Sequence, residues 1–332
     1  YPQPQPNSQL LGFMGQNADD PEGGYEGRAG IERQYETELA GDDGKVLVLK
    51  DAKQNSLKEI KQIEPEIPGK DVALTIDSRL QYLLYKELEK TGRLQKARWS
   101  TGMIVDVQTG EVLALSTWPS FNSNNLNEMT GENQRNRALL DVFEPGSVMK
   151  PFTVAAALDS GKYTTTSLID TNPGSIRVRG YTIRDHNNLG RITLGTLLQK
   201  SSNVASTKIA LSLPPDAITN MQKQFGFGSK TPLQFPGEGS GLVVTPKEKE
   251  TSRRATVSYG YGLQVTLAQV AQAYSALAAG GVMHPLTLTK DGERPPSKRI
   301  MAHEQAMSIV QMMESVTEPG GTAKGAAIDG YR

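Results

Sequence analysis

A single Ser-x-x-Lys occurs in this chain, at Ser147-Val148-Met149-Lys150, and it supplies the two groups that covalent acyl transfer needs. A serine hydroxyl is a poor nucleophile at neutral pH unless a base lies within hydrogen-bond reach. A lysine three residues on along a helix shares the serine's face, about one turn away. Pro145 and Gly146 break the chain just before the serine, and Phe152, Val154, Ala155, Ala156, Ala157 and Leu158 predict a packed helix ending near Gly161. Ser147 is thus expected at a helix N-terminus, where free N–H groups and the helix dipole favour a developing negative charge. The plainer reading of the same residues is a capped surface helix with a solvated lysine.

Such a pair also needs a group that returns the proton to a leaving amine and a polar side chain that holds the substrate amide. Ser201-Ser202-Asn203 offers both: Ser201 as relay, Asn203 as amide donor and acceptor. Three Ser-x-Asn matches occur, and two of them, Ser120-Phe121-Asn122 and Ser123-Asn124-Asn125, lie in a turn-rich segment where these residues are expected anyway. Only the match at 201–203 falls between two helical patterns, at 194–198 and 204–211; an ordinary interhelical turn is its bland alternative. Tyr259 and Tyr261 flank Gly260 and either line the cleft as an aromatic wall or pack in the core. Arg253 and Arg254 read as surface or ion-paired residues.

Composition narrows the chemistry. Thirty-six basic residues balance 36 acidic ones, so no net field would gather nucleic acid. With no cysteine, thiolate catalysis and Cys-bound zinc are excluded. The histidines at 186, 284 and 303 are scattered, and the zinc-protease-like start at His303-Glu304 meets Met307 where a second ligand would stand. Neither a metal site nor a nucleotide cofactor is expected. No apolar run is long enough to span a membrane and no signal peptide opens the chain. The start, Tyr1-Pro2-Gln3-Pro4-Gln5-Pro6, lacks an initiator Met and reads as the start of a fragment.

The elements that must position these groups follow from periodicity. Residues 1–66 are polar and turn-rich, with one clear strand at 46–49 and a Pro-containing linker at 64–69. A strand is predicted at 72–76, then a helix capped by Asp77, with Leu80, Leu83, Leu84 and Leu88 on its apolar face and Gly92 ending it. Two apolar runs, 102–107 and 111–117, joined by Gln108-Thr109-Gly110, predict a hairpin. A short strand is expected around 176–183, a buried helix at 267–279 and an amphipathic helix at 302–316. Helices around an antiparallel sheet give an α+β class for 67–332.

Longer blocks carry a resemblance. Arg135-Asn136-Arg137-Ala138, then Asp141-Val142-Phe143-Glu144-Pro145-Gly146-Ser147, Gln199-Lys200-Ser201-Ser202-Asn203-Val204 and Arg254-Ala255-Thr256-Val257-Ser258-Tyr259-Gly260-Tyr261-Gly262 resemble class B penicillin-binding proteins of Gram-negative bacteria, most of all the septal, FtsI-type (penicillin-binding protein 3) branch. The resemblance runs over nearly the whole chain. It implies the end of an N-terminal pedestal domain at 1–66 and a transpeptidase domain at 67–332 of the penicillin-binding/β-lactamase-like fold. It implies a D,D-transpeptidase that cross-links peptidoglycan stem peptides during septal cell-wall synthesis and is acylated by β-lactams. In that family Ser147 would be the nucleophile, Lys150 the base, Ser201 the relay, and Asn203 the residue that holds the substrate amide and orients Lys150, with the Ser147 N–H as half of an oxyanion hole. A periplasmic location, one membrane anchor outside this chain, and divisome partners including the septal lipid II polymerase are implied in the same way.

The family's third motif, Lys-Thr/Ser-Gly, is expected just beyond Arg332, so the piece alone is expected to be inactive. Lys90-Thr91-Gly92 precedes the nucleophile and closes a helix, and Lys230-Thr231-Pro232 replaces the glycine with proline, so neither supplies that motif. A hydrolase on the same scaffold, a β-lactamase or D,D-carboxypeptidase, and a sensor acylated without turnover are the alternatives. A β-lactamase would need a positioned glutamate; none falls in an obvious loop after Asn203, and the sequence leaves only Glu238 and Glu248 open for that role.

Overall fold

The computed structural model describes residues 1–17, 24–53 and 55–331; Arg332, with which the expected second domain ends, lies outside them. Two compact units divide the chain. One comprises residues 1–102, 114–136 and 288–293, the other residues 103–113, 137–287 and 294 onward.

In the first unit the helix Ser78–Leu94 begins as its sequence dictates: the Asp77 carboxylate accepts from the backbone N–H of Arg79 at 2.9 Å and of Leu80 at 3.3 Å. Its end differs from expectation. The helix runs through Gly92 to Leu94, and Gly92 is needed because a Cβ there would stand 2.5 Å from the Trp118 ring. Packing, not capping, selects this glycine. The buried face also differs: Gln81 and Tyr85 are inside, whereas Leu83 is 58% exposed. The Gln81 amide explains its own burial, donating to the carbonyls of Pro6 and Leu115 while its oxygen accepts from Leu115 N–H. Residues 72–76 form no strand, only a bridge from Leu74 to Thr289. The strand at 46–49 extends over Lys45–Lys50 and pairs antiparallel with Ser56–Glu64, a partner hidden by its run of charges.

The second unit is built around the helix Lys150–Asp159, in which every residue from Lys150 to Leu158 is buried. A helix apolar on all sides must be surrounded, and this one is. Phe152 meets Phe225, Phe227 and Tyr274 edge-on at centroid distances of 5.0, 4.9 and 5.5 Å. The helices Leu194–Lys200, Asn203–Ser212, Ala217–Gln224, Leu267–Ala278 and His303–Glu314 contribute further residues to the same core. Leu267–Ala278 opens on a capping box between Thr266 and Gln269.

The predicted hairpin is present as the strands Ser100–Val105 and Val112–Trp118. The single strand expected around 176–183 is instead a hairpin, Ser175–Val178 paired with Tyr181–Arg184. Arg179 and Gly180, with φ of 41° and 87°, supply the two left-handed residues that a tight two-residue turn requires. The strand pairs named here are antiparallel where their register is defined, and with the surrounding helices they make an α+β fold. Among the described residues no helix is long and apolar enough to cross a membrane.

Candidate active site

Ser147 lies in the short 3-10 turn Gly146–Met149, which runs straight into the helix that starts at Lys150. It therefore sits just ahead of the α-helix rather than in its first turn. The turn is clamped from one side. Phe143 and Val265 exchange backbone hydrogen bonds at 3.0 Å, Gly262 N–H donates to Glu144 Oε1 at 2.8 Å, and Gly146 N–H donates to the Gly260 carbonyl at 3.0 Å. Gly260 could not be another residue: its φ is +87° and a Cβ would fall 1.9 Å from the Gly146 carbonyl oxygen. The segment around Tyr259 and Tyr261 thus acts first as a backbone splint for the serine turn.

Ser147 is exposed while Lys150 is 1% exposed. The lysine ammonium has three N–H donors and meets three acceptors: Ser147 Oγ at 3.0 Å, the Ser201 carbonyl at 2.6 Å and Ser201 Oγ at 2.7 Å. Ser201 Oγ closes the triangle by donating to Ser147 Oγ at 2.9 Å. Burial pushes the Lys150 amine down to about 8, against a smaller upward pull from the charge of Asp185. Ser201 reaches this position from a strained backbone. It ends the helix Leu194–Lys200 with φ 55° and ψ 46°, and the chain restarts at once as the helix Asn203–Ser212, capped by Ser202. The break between two helices turns both Ser201 oxygens toward Lys150.

Asn203 is fixed differently from expectation. Its side chain donates to the Arg184 carbonyl at 3.4 Å, and Lys150 is oriented by Ser147 and Ser201 instead. Sequence reasoning missed Asp185, which ties this region together. One oxygen accepts from the N–H groups of Asn203 (2.6 Å) and Val204 (3.0 Å) and the other from Ser202 Oγ (2.6 Å), so the carboxylate caps the helix that carries Asn203. No local pattern marks it, because it lies 18 residues from the amide it caps.

Two clefts meet at Ser147. One, of about 270 Å³, is polar and lined by Ser147, Arg184, Asp185, His186, Ser201 and Asn203. The other, of about 360 Å³, is mostly apolar, with Val148, Pro151, Leu198, Tyr274, Met313 and Val316 beside Ser147, Lys150 and Ser201. Neither tyrosine of the aromatic pair lines either cleft. Their rings meet at 5.9 Å, Tyr261 is 50% exposed with its hydroxyl near Gly146, and burial raises the Tyr259 phenol.

The remaining candidates are engaged elsewhere. Glu238 is buried and accepts from Thr231 N–H at 2.8 Å and Oγ1 at 2.7 Å, with burial raising its carboxyl, and this also accounts for Lys230-Thr231-Pro232 as a loop. Glu248 pairs with the buried Arg254 at 3.0 Å, whose other donors reach the carbonyls of Ala210 and Leu213. Arg253 makes a longer pair with Glu250 at 4.0 Å. Among the described residues no three histidine or acidic side chains converge as a metal site.

A buried lysine bridging two serines, one on a tight turn and one at a helix junction, brings together the groups that serine acyl transfer needs. Residues 100–332 match the family described as Penicillin binding protein transpeptidase domain, and the chain belongs to that family. Residues 1–74 match the Penicillin-binding Protein dimerisation domain. Over all 332 residues the chain is 39% identical to peptidoglycan D,D-transpeptidase FtsI of Escherichia coli K12, spanning 55% of that protein. It is 36% identical over 307 residues, 92% of its length, to the probable peptidoglycan D,D-transpeptidase PenA of Neisseria flavescens, spanning 76% of it. A peptidoglycan glycosyltransferase structure from Burkholderia ambifaria superposes with a TM-score of 0.71 at 40% identity, over 78% of this chain and 79% of that one. The apo transpeptidase domain of Burkholderia pseudomallei penicillin-binding protein 3 gives 0.70 at 40% identity, over 80% and 76%.

Proposed function

We propose that the chain carries the acylation site of a peptidoglycan D,D-transpeptidase of the septal type, acting on stem peptides that end in D-Ala-D-Ala and inactivated by β-lactams. The observation that carries this reading is the Ser147–Lys150–Ser201 triangle around a desolvated lysine. Neutral Lys150 takes the proton from Ser147 Oγ as that oxygen attacks the penultimate D-Ala carbonyl carbon. The carbonyl π electrons move to oxygen and are held in part by the Ser147 N–H, as the family resemblance implies. Collapse breaks the peptide C–N bond; Ser201 passes a proton from Lys150 to the leaving nitrogen, and D-Ala departs. An amine of a second stem peptide then attacks the ester carbonyl, giving up a proton that neutral Lys150 takes and returns to Ser147 Oγ as the ester C–O bond breaks, which frees the serine and closes the cross-link. In a β-lactam the leaving nitrogen stays tethered to the acyl group and blocks the acceptor's approach.

Asn203 would hold the substrate amide, with Tyr259 and Tyr261 serving the site through the backbone they stiffen. Residues 1–66 would close a pedestal domain, and a periplasmic site of action, a membrane anchor and divisome partners belong to the same reading. A β-lactamase on this scaffold is not favoured, since Glu238 and Glu248 are committed to other contacts.

The test is labelling of the full-length gene product with a fluorescent penicillin. A stable adduct that disappears in Ser147→Ala supports the reading. Absence of an adduct in the folded protein refutes the nucleophile assignment, and fast turnover of a chromogenic cephalosporin makes the protein a β-lactamase.

A further inference from the structure

The tight turn that carries Ser147 is pinned on both sides of the Ser147 N–H. Before the serine, Gly146 N–H donates to the Gly260 carbonyl at 3.0 Å. After it, Lys150 N–H donates to the Ser147 carbonyl. One peptide further on, the Val148 carbonyl accepts from the Tyr274 hydroxyl at 2.8 Å. Pro151 stands three residues beyond Val148 and has no N–H, so a continued 3-10 turn could not supply that donor. The hydroxyl comes instead from the helix Leu267–Ala278, 126 residues along the chain from the carbonyl it holds.

Tyr274 is itself well anchored. Its ring meets the fully buried Phe152 edge-on at 5.5 Å, so the helix Lys150–Asp159 that follows the turn also holds the tyrosine. Burial pushes the phenol well above its usual range, which keeps it a donor at every working pH. Among the described residues its hydroxyl bonds the Val148 carbonyl alone, so it stands outside the proton path through Ser147, Lys150 and Ser201. What it can control is aim. Rotation of the peptide after Val148 is passed through one residue to Ser147, and acyl transfer is sensitive to small errors in the placement of the nucleophile and the oxyanion donor.

We infer that Tyr274 is a positioning residue for acylation: by holding the Val148 carbonyl, its hydroxyl fixes the turn that aims Ser147 Oγ and the Ser147 N–H at one substrate carbonyl. The inference rests on the acylation role proposed above and adds to it a residue outside both short motifs. Tyr274 acts through the turn and takes no part in the bond changes.

Tyr274→Phe keeps the ring against Phe152 and removes the hydroxyl alone. Water can satisfy the Val148 carbonyl in its place, so folding should change little, but water is not tied to the helix behind it. Acylation of the full-length protein by a fluorescent penicillin is followed by rapid quench over a range of concentrations, with rates normalised to titrated sites. Loss of one orienting hydrogen bond predicts that the maximal acylation rate constant falls about tenfold, while the half-saturating concentration stays within about twofold of the parent. The pH midpoint should not move, because the hydroxyl carries no charge and makes no bond to Lys150. Tyr163→Phe is the matched control. Its hydroxyl bonds Ser212 Oγ at 2.7 Å beside the same core, and it lines neither cleft at Ser147, so its rate constant should be parental. A rate constant within about twofold of the parent in Tyr274→Phe overturns the inference. So does a loss carried by the half-saturating concentration, a shifted pH midpoint, or an equal loss in Tyr163→Phe, which would mean general softening of the core. If the unsubstituted protein forms no adduct, the acylation role falls first and this inference with it, a result read from the parent alone.

Discussion

If Lys150 is the base, its protonation should set the speed of acylation, and the lowered amine gives the size of the effect. With the amine near 8, about a tenth of the molecules hold a neutral Lys150 at pH 7 and roughly nine-tenths at pH 9. If that neutral amine is the base, the acylation rate constant should rise about tenfold over this interval and level off above it. A lysine with the ordinary value of 10.5 would give a rise of about a hundredfold over the same interval and no plateau. The assay is stopped-flow or rapid-quench acylation by a fluorescent penicillin between about pH 6 and 10, within the compound's own stability. The cause of the shift can be tested too. Asp185 pulls the amine upward, so Asp185→Asn should move the midpoint to lower pH, provided the helix it caps is still formed. A profile that climbs without a break through pH 10, or one that is flat, would refute Lys150 as the base.

Four further outcomes follow from the same contacts. Lys150→Arg should slow acylation by about a thousandfold or more while leaving a folded protein, because a guanidinium does not give up its proton; adduct formation over hours measures it. The folded amine titrates below its unfolded value, so the unfolded chain binds more protons between about 8 and 10.5; the cost of burying the charge is full below that window and lifts across it, by roughly 3 kcal/mol. The denaturation free energy of the parent relative to Lys150→Met should therefore increase through that window, and a constant difference would contradict the burial. Ser201→Gly and Ser201→Ala should be equally slow in acylation, yet the glycine variant should be about 1 kcal/mol more stable, since only alanine keeps the left-handed backbone penalty; urea midpoints decide. Gly260→Ala should lose about 2 kcal/mol or more and most of its acylation, because the new Cβ collides with the Gly146 carbonyl; parental labelling would show that the splint is dispensable.

What was legible in the sequence was whatever the chain encodes within one or two turns. Ser147 and Lys150 are three residues apart, and a helical turn brings them together whatever surrounds it. The junction at 201–203 was legible for a similar reason, as a polar break between two apolar helical runs. What escaped is carried by contacts distant along the chain. Asp185 caps a helix 18 residues away, and the Gly260 backbone presses on a turn more than a hundred residues earlier. Gly92 looked like a helix stop because local rules reward glycine there, but the indole of Trp118 had a prior claim on the space. Asn203 was expected to steer the lysine, but Ser201 took that role once its backbone turned left-handed and offered the lysine two acceptors in place of one. The chemistry was thus written locally and its positioning was not. A lysine that must be both buried and near a charge cannot be tuned by its neighbours in sequence. Desolvation comes from the core packed around the helix Lys150–Asp159, and the opposing pull comes from a carboxylate delivered by a separate hairpin. Because the two influences arise from different elements, the base strength of Lys150 can be changed at Asp185 without touching the nucleophile turn, and the predicted shift in the pH midpoint separates tuning from mere assembly of the site.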